Sequence, residues 1–178
     1  GGKIWVESKE DIGSRFIFEL ELPKGKMIQI DKSNDIQTNI KTLKSSNILL
    51  VEDNQINQEI AIGLLEESGI NIDIANNGLE AVESFKKNSS KYELILMDLQ
   101  MPIMDGYEAT KQIREIDKDI PIIALTANAM KKDIDTTKKV GMQEHLNKPI
   151  EVDKLYSTLL KYISKKVDIK DSNNTTLD

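Results

Sequence analysis

The sequence predicts an α/β fold, a parallel sheet flanked by helices, over Ser46 to Lys165. Three observations carry that expectation. From Ser46 onward, short apolar runs alternate with amphipathic stretches, the order that builds strand-helix repeats and a parallel sheet. Within that part, Leu94, Ile95 and Leu96, with Met97 and Leu99, form an apolar run suited to a strand buried on both faces, and Asp98 interrupts it near its C-terminal end. Lastly, polar or charged residues stand where apolar runs stop: Glu52-Asp53, Asp98, Thr126-Ala127 and Lys148-Pro149. Parallel strands all point the same way, so these ends meet at the edge where open α/β sheets place their ligands.

Taken in order, residues 1–23 alternate like a hairpin. Ile4 and Val6, then Phe16, Phe18, Leu20 and Leu22, share one face, and Asp11-Ile12-Gly13-Ser14 supplies the turn. A lone hairpin is marginal in water, so this one is expected to dock on a partner chain or on the rest of the molecule. Residues 24–45 are polar, with isolated Ile28, Ile30, Ile36 and Ile40, and read as a linker. A strand at Asn47 to Val51 follows. The next helix starts near Asn54, presents Ile56, Ile60 and Leu64 with Ala61 and Leu65 on one face, and stops before Gly69. Strand Asn71 to Ala75 and a helix from about Gly78 to Lys87 precede the central strand, Glu93 to Asp98. A helix from about Gly106 to Ile116, a strand at Pro121 to Leu125 and a helix from Lys131 to Val140 come next. A short strand, Glu144 to Leu146, and a helix, Glu151 to Ile163 with the stripe Val152, Leu155, Leu159 and Ile163, complete the repeats. Residues 166–178 have the composition of a disordered tail.

Composition narrows the chemistry. With 178 residues, 39% hydrophobic and 30% charged, the chain suits one ordinary domain plus extra segments. No apolar run approaches the roughly 18 residues that would span a bilayer, so no direct membrane contact is expected. The absence of cysteine excludes disulfides, thiolate metal sites and cysteine nucleophiles, and fits a cytoplasmic location. The single histidine, His145, excludes multi-histidine metal sites. A net charge of −6 argues against nucleic acid and anionic lipid, whose phosphates it would repel.

A carboxylate in an apolar strand is costly unless it reaches cations or donors at the sheet edge. Alone, Asp98 reads equally as a cap for the following turn, and Glu52-Asp53 as the capped start of a helix. Together, Glu52, Asp53 and Asp98 at one site repel one another unless a hard cation neutralises them. Mg²⁺ suits, since it takes oxygen ligands and keeps several waters. Asp53 and Asp98 are therefore placed as direct ligands, with Glu52 acting through water. Thr126 and Lys148, taken singly, read as an ordinary strand-end threonine and a solvated lysine.

The words Leu49-Leu50-Val51-Glu52-Asp53-Asn54, Met97-Asp98-Leu99-Gln100-Met101-Pro102-Ile103-Met104-Asp105-Gly106, Ala124-Leu125-Thr126-Ala127 and Leu146-Asn147-Lys148-Pro149 stand in order. Over Ser46 to Lys165 they resemble the receiver domain of response regulators. The resemblance implies a flavodoxin-like fold, a five-stranded parallel sheet with helices on both faces, in which Asp98 accepts a phosphoryl group from a phosphohistidine. It also implies that the Gln100 backbone carbonyl serves Mg²⁺, that Thr126 hydrogen-bonds the phosphoryl, that Lys148 pairs with it, and that the Lys148-Pro149 peptide is cis. His145 stands three residues before Lys148, where receiver domains commonly carry an inward-turning Tyr or Phe, so Thr126 and His145 are the expected switch residues. Read alone, His145 is an exposed histidine on an edge strand.

Residues 1–23 carry a second resemblance. Gly1-Gly2-Lys3-Ile4-Trp5-Val6-Glu7-Ser8 and Gly13-Ser14-Arg15-Phe16-Ile17-Phe18-Glu19-Leu20-Glu21-Leu22-Pro23 are similar to the last strands of the ATP-binding domain of sensor histidine kinases, with Asp11 where that family usually has a glycine. The implied parent is a hybrid histidine kinase, a histidine protein kinase whose own active site lies outside this chain. Its implied partners are a kinase phosphohistidine domain and a histidine phosphotransfer protein. Two other functions compete. A phosphohydrolase of the haloacid dehalogenase type also uses a strand-end aspartate nucleophile, but it wants a second aspartate two residues on, where Gln100 stands. A binding module of the same fold, without phosphorylation, has no use for the combined Asp53, Asp98, Thr126 and Lys148.

Overall fold

A computed structural model of the chain describes residues 2–21, 40–127 and 131–172, without the side chains of 131–133 and 164–172. It divides into two units, Gly1–Asp31 and Lys32–Asp178. In the first, β1 (Gly2–Lys9) pairs antiparallel with β2 (Gly13–Leu20), Ile4 opposite Phe18 and Val6 opposite Phe16. The expected apolar face is therefore formed, and its residues are exposed, Phe16 at 74% and Phe18 at 69%. Asp11 takes a left-handed φ of 60° in the connecting turn, a conformation that Asp tolerates better than most residues. Leu22 and residues 24–39 of the linker expected over 24–45 lie outside the described residues.

The second unit is built on β3 (Asn47–Val51), β4 (Asn71–Ala75), β5 (Leu94–Asp98), β6 (Ile122–Thr126) and β7 (Glu144–Asn147). All pair parallel, in the order β4-β3-β5-β6-β7, the doubly wound order of flavodoxin-like folds. Helices α1 (Gln55–Leu65), α2 (Gly78–Lys87), α3 (Gly106–Ile116), α4 (Lys131–Lys139) and α5 (Val152–Ser172) alternate with them. Side chains of a strand point alternately to opposite faces, so each central strand feeds two cores. Leu49, Val51, Ile95, Met97, Ile122 and Ala124 pack with α2 and α3; Ile48, Leu50, Leu94, Leu96, Ile123 and Leu125 pack with α1 and α5. Arg114 lies at the end of the sheet remote from the strands' C-terminal ends: its guanidinium donates to the carbonyls of Asp117, Ile120 and Gly141 and to Gln143 Oε1.

Three sequence expectations change. Ile56 and Ile60 are 67% and 52% exposed, while α1 buries Gln58, Ala61 and Leu65. A count of apolar positions alone misses a glutamine whose Nε2 donates to the Glu52 carbonyl at 2.6 Å and to Asn76 Oδ1 at 3.1 Å, and that glutamine sets the rotation of the helix. The packed unit also begins before Ser46. A 3₁₀ turn at Lys41–Leu43 puts Leu43 at 0% exposure in the α1/α5 core, a burial that contributes about 1.5–3 kcal/mol. At the other end α5 runs to Ser172, past Lys165, because no Gly or Pro interrupts it there. Residues 173–178 of the expected tail lie outside the described residues.

At the edge strand β4, Asp73 accepts hydrogen bonds from Lys91 and from the Tyr92 hydroxyl, the latter at 2.7 Å, and the Tyr92 ring stacks on Phe85. The Lys91 and Tyr92 donors hold the Asp73 carboxyl below its usual range. Burial, and then the Asp73 carboxylate, push Tyr92 up to about 12. A tyrosine whose folded value is raised stabilises the fold fully below its unfolded value of about 10, and that contribution disappears as pH rises toward the folded one. The stability difference between the wild type and Tyr92→Phe, from urea midpoints, should therefore be constant below about pH 9 and shrink between about pH 10 and 12. A difference independent of pH across that interval would contradict the pairing.

Candidate functional site

The ends of β3, β5 and β6 and the segment after β7 converge as the parallel topology requires. Asp98 closes β5 and is 6% exposed. Its backbone is pinned from behind by α3: a Cβ on Gly106 would lie 2.1 Å from the Asp98 carbonyl oxygen, so only glycine lets the helix start there. Gly78 makes a second close approach, its N–H donating to the Met104 carbonyl at 3.0 Å. Between these fixed points the loop after Asp98 turns tightly. Ile103, 79% exposed, takes a φ of 70°, a strained value for a β-branched residue, and the Met104 N–H reaches back to the Pro102 carbonyl at 2.8 Å.

Glu52 directly follows β3 and is 1% exposed, whereas Asp53 beside it is open to solvent. One carboxylate oxygen each of Glu52, Asp53 and Asp98 lies within 4.8 Å of the others. Lys148 bridges the two buried ones: its Nζ donates to Glu52 Oε2 at 2.6 Å and to Asp98 Oδ2 at 2.7 Å. Its own N–H donates to the Thr126 carbonyl at 2.8 Å, and the Lys148-Pro149 peptide is cis. Burial pushes the Asp98 carboxyl up, the Glu52 charge adds to this, and Lys148 opposes it. For Lys148, burial acts to lower the ammonium, but the bonds to Asp98 and Glu52 outweigh it and hold the group above its ordinary value.

A cavity of about 340 Å³ opens over these groups, lined by Asn57, Asp98, Gln100, Tyr107, Thr126 and Lys148. Thr126 is buried at its wall, and Gln100 donates its N–H to Asp98 Oδ1 at 3.3 Å. Asp98, Gln100, Thr126 and Lys148 thus line one cavity, Glu52 and Asp53 join them through the carboxylate cluster, and His145 stands apart. His145 pairs in register with Ala124, two residues before Thr126, and lines a separate groove with Glu144, Asn147, Lys154 and Thr158. Asn57 and Gln58 were not anticipated. Asn57 Nδ2 donates to Glu52 Oε1 at 2.8 Å, and Gln58 holds the Glu52 carbonyl. The available signal was the position of Asn57 three residues after the helix cap Asn54, where a side chain reaches back over the helix start.

The donor set is all oxygen, two buried carboxylates and one exposed, and among the described residues one ammonium, Lys148, pairs with it. That set fits a small hard divalent cation and leaves Asp98 Oδ2 available once Lys148 turns aside. Among the described residues, no helix is long and apolar enough to cross a membrane.

The chain is similar to known proteins in sequence and in fold. The model of the response regulator receiver domain matches residues 48–160. Hybrid signal transduction histidine kinase B of Dictyostelium discoideum is 45% identical over 131 residues, which cover 66% of this chain and 7% of that protein. Transcription factor SKN7 of Saccharomyces cerevisiae is 36% identical over 134 residues, 75% of this chain and 21% of that protein. The chain therefore spans only a small part of these curated relatives. Among solved structures, the receiver domain of sensor histidine kinase PA1611 from Pseudomonas aeruginosa PAO1, with a magnesium ion coordinated in its active site cleft, is 38% identical at a TM-score of 0.63, covering 67% of this chain and 98% of that one. The receiver domain of Saccharomyces cerevisiae Ssk1, co-crystallised with the histidine phosphotransfer protein Ypd1, is 33% identical at a TM-score of 0.65, covering 70% and 92%. With the family model matching well over half of its length, the chain belongs to the response regulator receiver domain family.

Proposed function

We propose that Asp98 accepts a phosphoryl group from a phosphohistidine, in the presence of Mg²⁺, as one step of a phosphorelay. The observation that carries this reading is Lys148 held between Glu52 and Asp98 at the mouth of the cavity. Asp98 Oδ attacks phosphorus, the P–N bond of the donor breaks, and its electron pair stays on the imidazole, which takes up a proton. Mg²⁺, held by Asp53 and Asp98, by the Gln100 carbonyl and by Glu52 through water, would neutralise charge on the phosphoryl oxygens. Lys148 leaves Glu52 to pair with the phosphoryl, and the Thr126 hydroxyl donates to another of its oxygens. A carboxylate needs no prior deprotonation for this role. Hydrolysis of the haloacid dehalogenase type is disfavoured because Gln100 cannot protonate a leaving group.

The donor is a histidine phosphotransfer domain or a kinase phosphohistidine domain. A groove lined by Ile60, Leu64, Pro149 and Ile150 adjoins the cavity, sharing Asn57 and Lys148 with it, and offers such a partner an apolar seat. Residues 1–23 fit as the last strands of a kinase ATP-binding domain in a hybrid kinase, in a cytoplasmic setting that agrees with the absence of cysteine. Thr126 and His145 act as the switch pair, with half-buried His145 beside a groove of about 230 Å³.

Intact-mass measurement after incubation with acetyl phosphate should show one added phosphoryl group that requires Mg²⁺ and is abolished by Asp98→Ala. A modification that persists in that variant, or forms equally well in a chelator, would refute the assignment. For the switch, NMR of the free and beryllofluoride-bound forms should show the His145 ring signals moving with those of Thr126. An unchanged His145 ring beside a shifted Thr126 would remove His145 from the mechanism.

A further inference from the structure

Glu52 is 1% exposed, and its two oxygens are held differently. Oε2 is bound by Lys148, whose Nζ is shared with Asp98. Oε1 is bound by the Asn57 amide at 2.8 Å and, more weakly, by the Asn54 N–H at 3.4 Å. The helix start itself makes this arrangement. Asn54 is the N-cap of α1, accepting from the Ile56 and Asn57 N–H groups, and Asn57 is therefore the third helical residue. In a capping box that residue reaches back to the N–H of the cap. Here both the cap N–H and the Asn57 amide turn instead onto Glu52 Oε1, one residue beyond the strand. A carboxylate can only accept, so the Asn57 amide must present its NH₂.

We propose that Asn57 is a positioning residue for the phosphoacceptor site: it is the fixed anchor of Glu52, and Lys148 is the movable one. The inference rests on the Mg²⁺-dependent reading of Asp98 above. If Lys148 swings to a phosphoryl oxygen, Glu52 loses its ammonium while buried, and a neutral amide rooted in the first turn of α1 keeps Oε2 aimed at the carboxylate cluster. A neutral donor does so without repelling the cation, which a second ammonium would not. Gln58 secures the Glu52 backbone independently, so loss of the Asn57 amide frees the side chain and not the loop.

The test is Mg²⁺ binding by isothermal titration calorimetry on the full chain, in wild type, Asn57→Leu, Glu52→Ala and the double variant. Leucine shares the branching and the number of side-chain heavy atoms of asparagine and is the better helix former; Asn57→Ala, with the same expected result, serves if Asn57→Leu misfolds by circular dichroism. Asn57→Leu should weaken Mg²⁺ about 10-fold, at the low end for partners of metal ligands, and should add nothing further in the Glu52→Ala background. Wild-type affinity in both Asn57 variants, or the same loss with Glu52 absent, overturns the assignment to Asn57 alone. A wild-type chain that neither binds Mg²⁺ nor gains a phosphoryl group from acetyl phosphate overturns the underlying reading as well.

Discussion

Two carboxylates at 1% and 6% exposure share a single ammonium, and this pairing is the constraint around which the second unit is arranged. The attraction within each such pair is on the order of several kcal/mol, against a desolvation penalty of similar order for each ion. The balance is close, so geometry decides it. Lys148 must come from 96 residues beyond Glu52 and 50 beyond Asp98, which requires the complete sheet. β3 and β5 set the carboxylates side by side, β6 supplies the Thr126 carbonyl that fixes the Lys148 backbone, and β7 delivers the lysine.

Among the described residues, one ammonium against Glu52, Asp53 and Asp98 leaves a deficit of positive charge. On the proposed reading, a divalent cation would answer that deficit, and then a phosphoryl group whose negative oxygens need both cation and lysine would follow. The surroundings resist collapse of that arrangement. Gly106 lets α3 abut the Asp98 backbone, Gly78 holds the Met104 carbonyl, and the α1 cap directs two donors onto Glu52. Rigid strand ends therefore carry the charges, while the loop after Asp98, strained at Ile103, forms one side of the approach.

Much of this was legible in the sequence because parallel strands buried on both faces read as unbroken apolar runs, and their ends stand out by contrast. Leu94 to Asp98 and Ile122 to Thr126 show it most clearly. Asp98, Glu52, Thr126 and Lys148 could be named as meeting because each stands where an apolar run stops and parallel strands end at one edge. What escaped was decided by partners far apart in the chain. Gln58 takes a core-facing place through the Glu52 carbonyl and Asn76, displacing Ile56 and Ile60 to the surface. Leu43 sits in a polar stretch, yet its burial against α5 extends the unit upstream of Ser46. Periodicity registers neither, since each depends on a tertiary contact that a local window does not contain.

The most direct measurement is a crystal structure of the chain with Mg²⁺ and beryllofluoride. The phosphoacceptor assignment predicts beryllium bonded to an Asp98 carboxylate oxygen, Mg²⁺ on Asp53 and Asp98, and Lys148 Nζ moved from Glu52 to a fluorine. Beryllofluoride on any other residue, or an unmodified Asp98 still paired with Lys148 at saturating beryllofluoride and Mg²⁺, would contradict it.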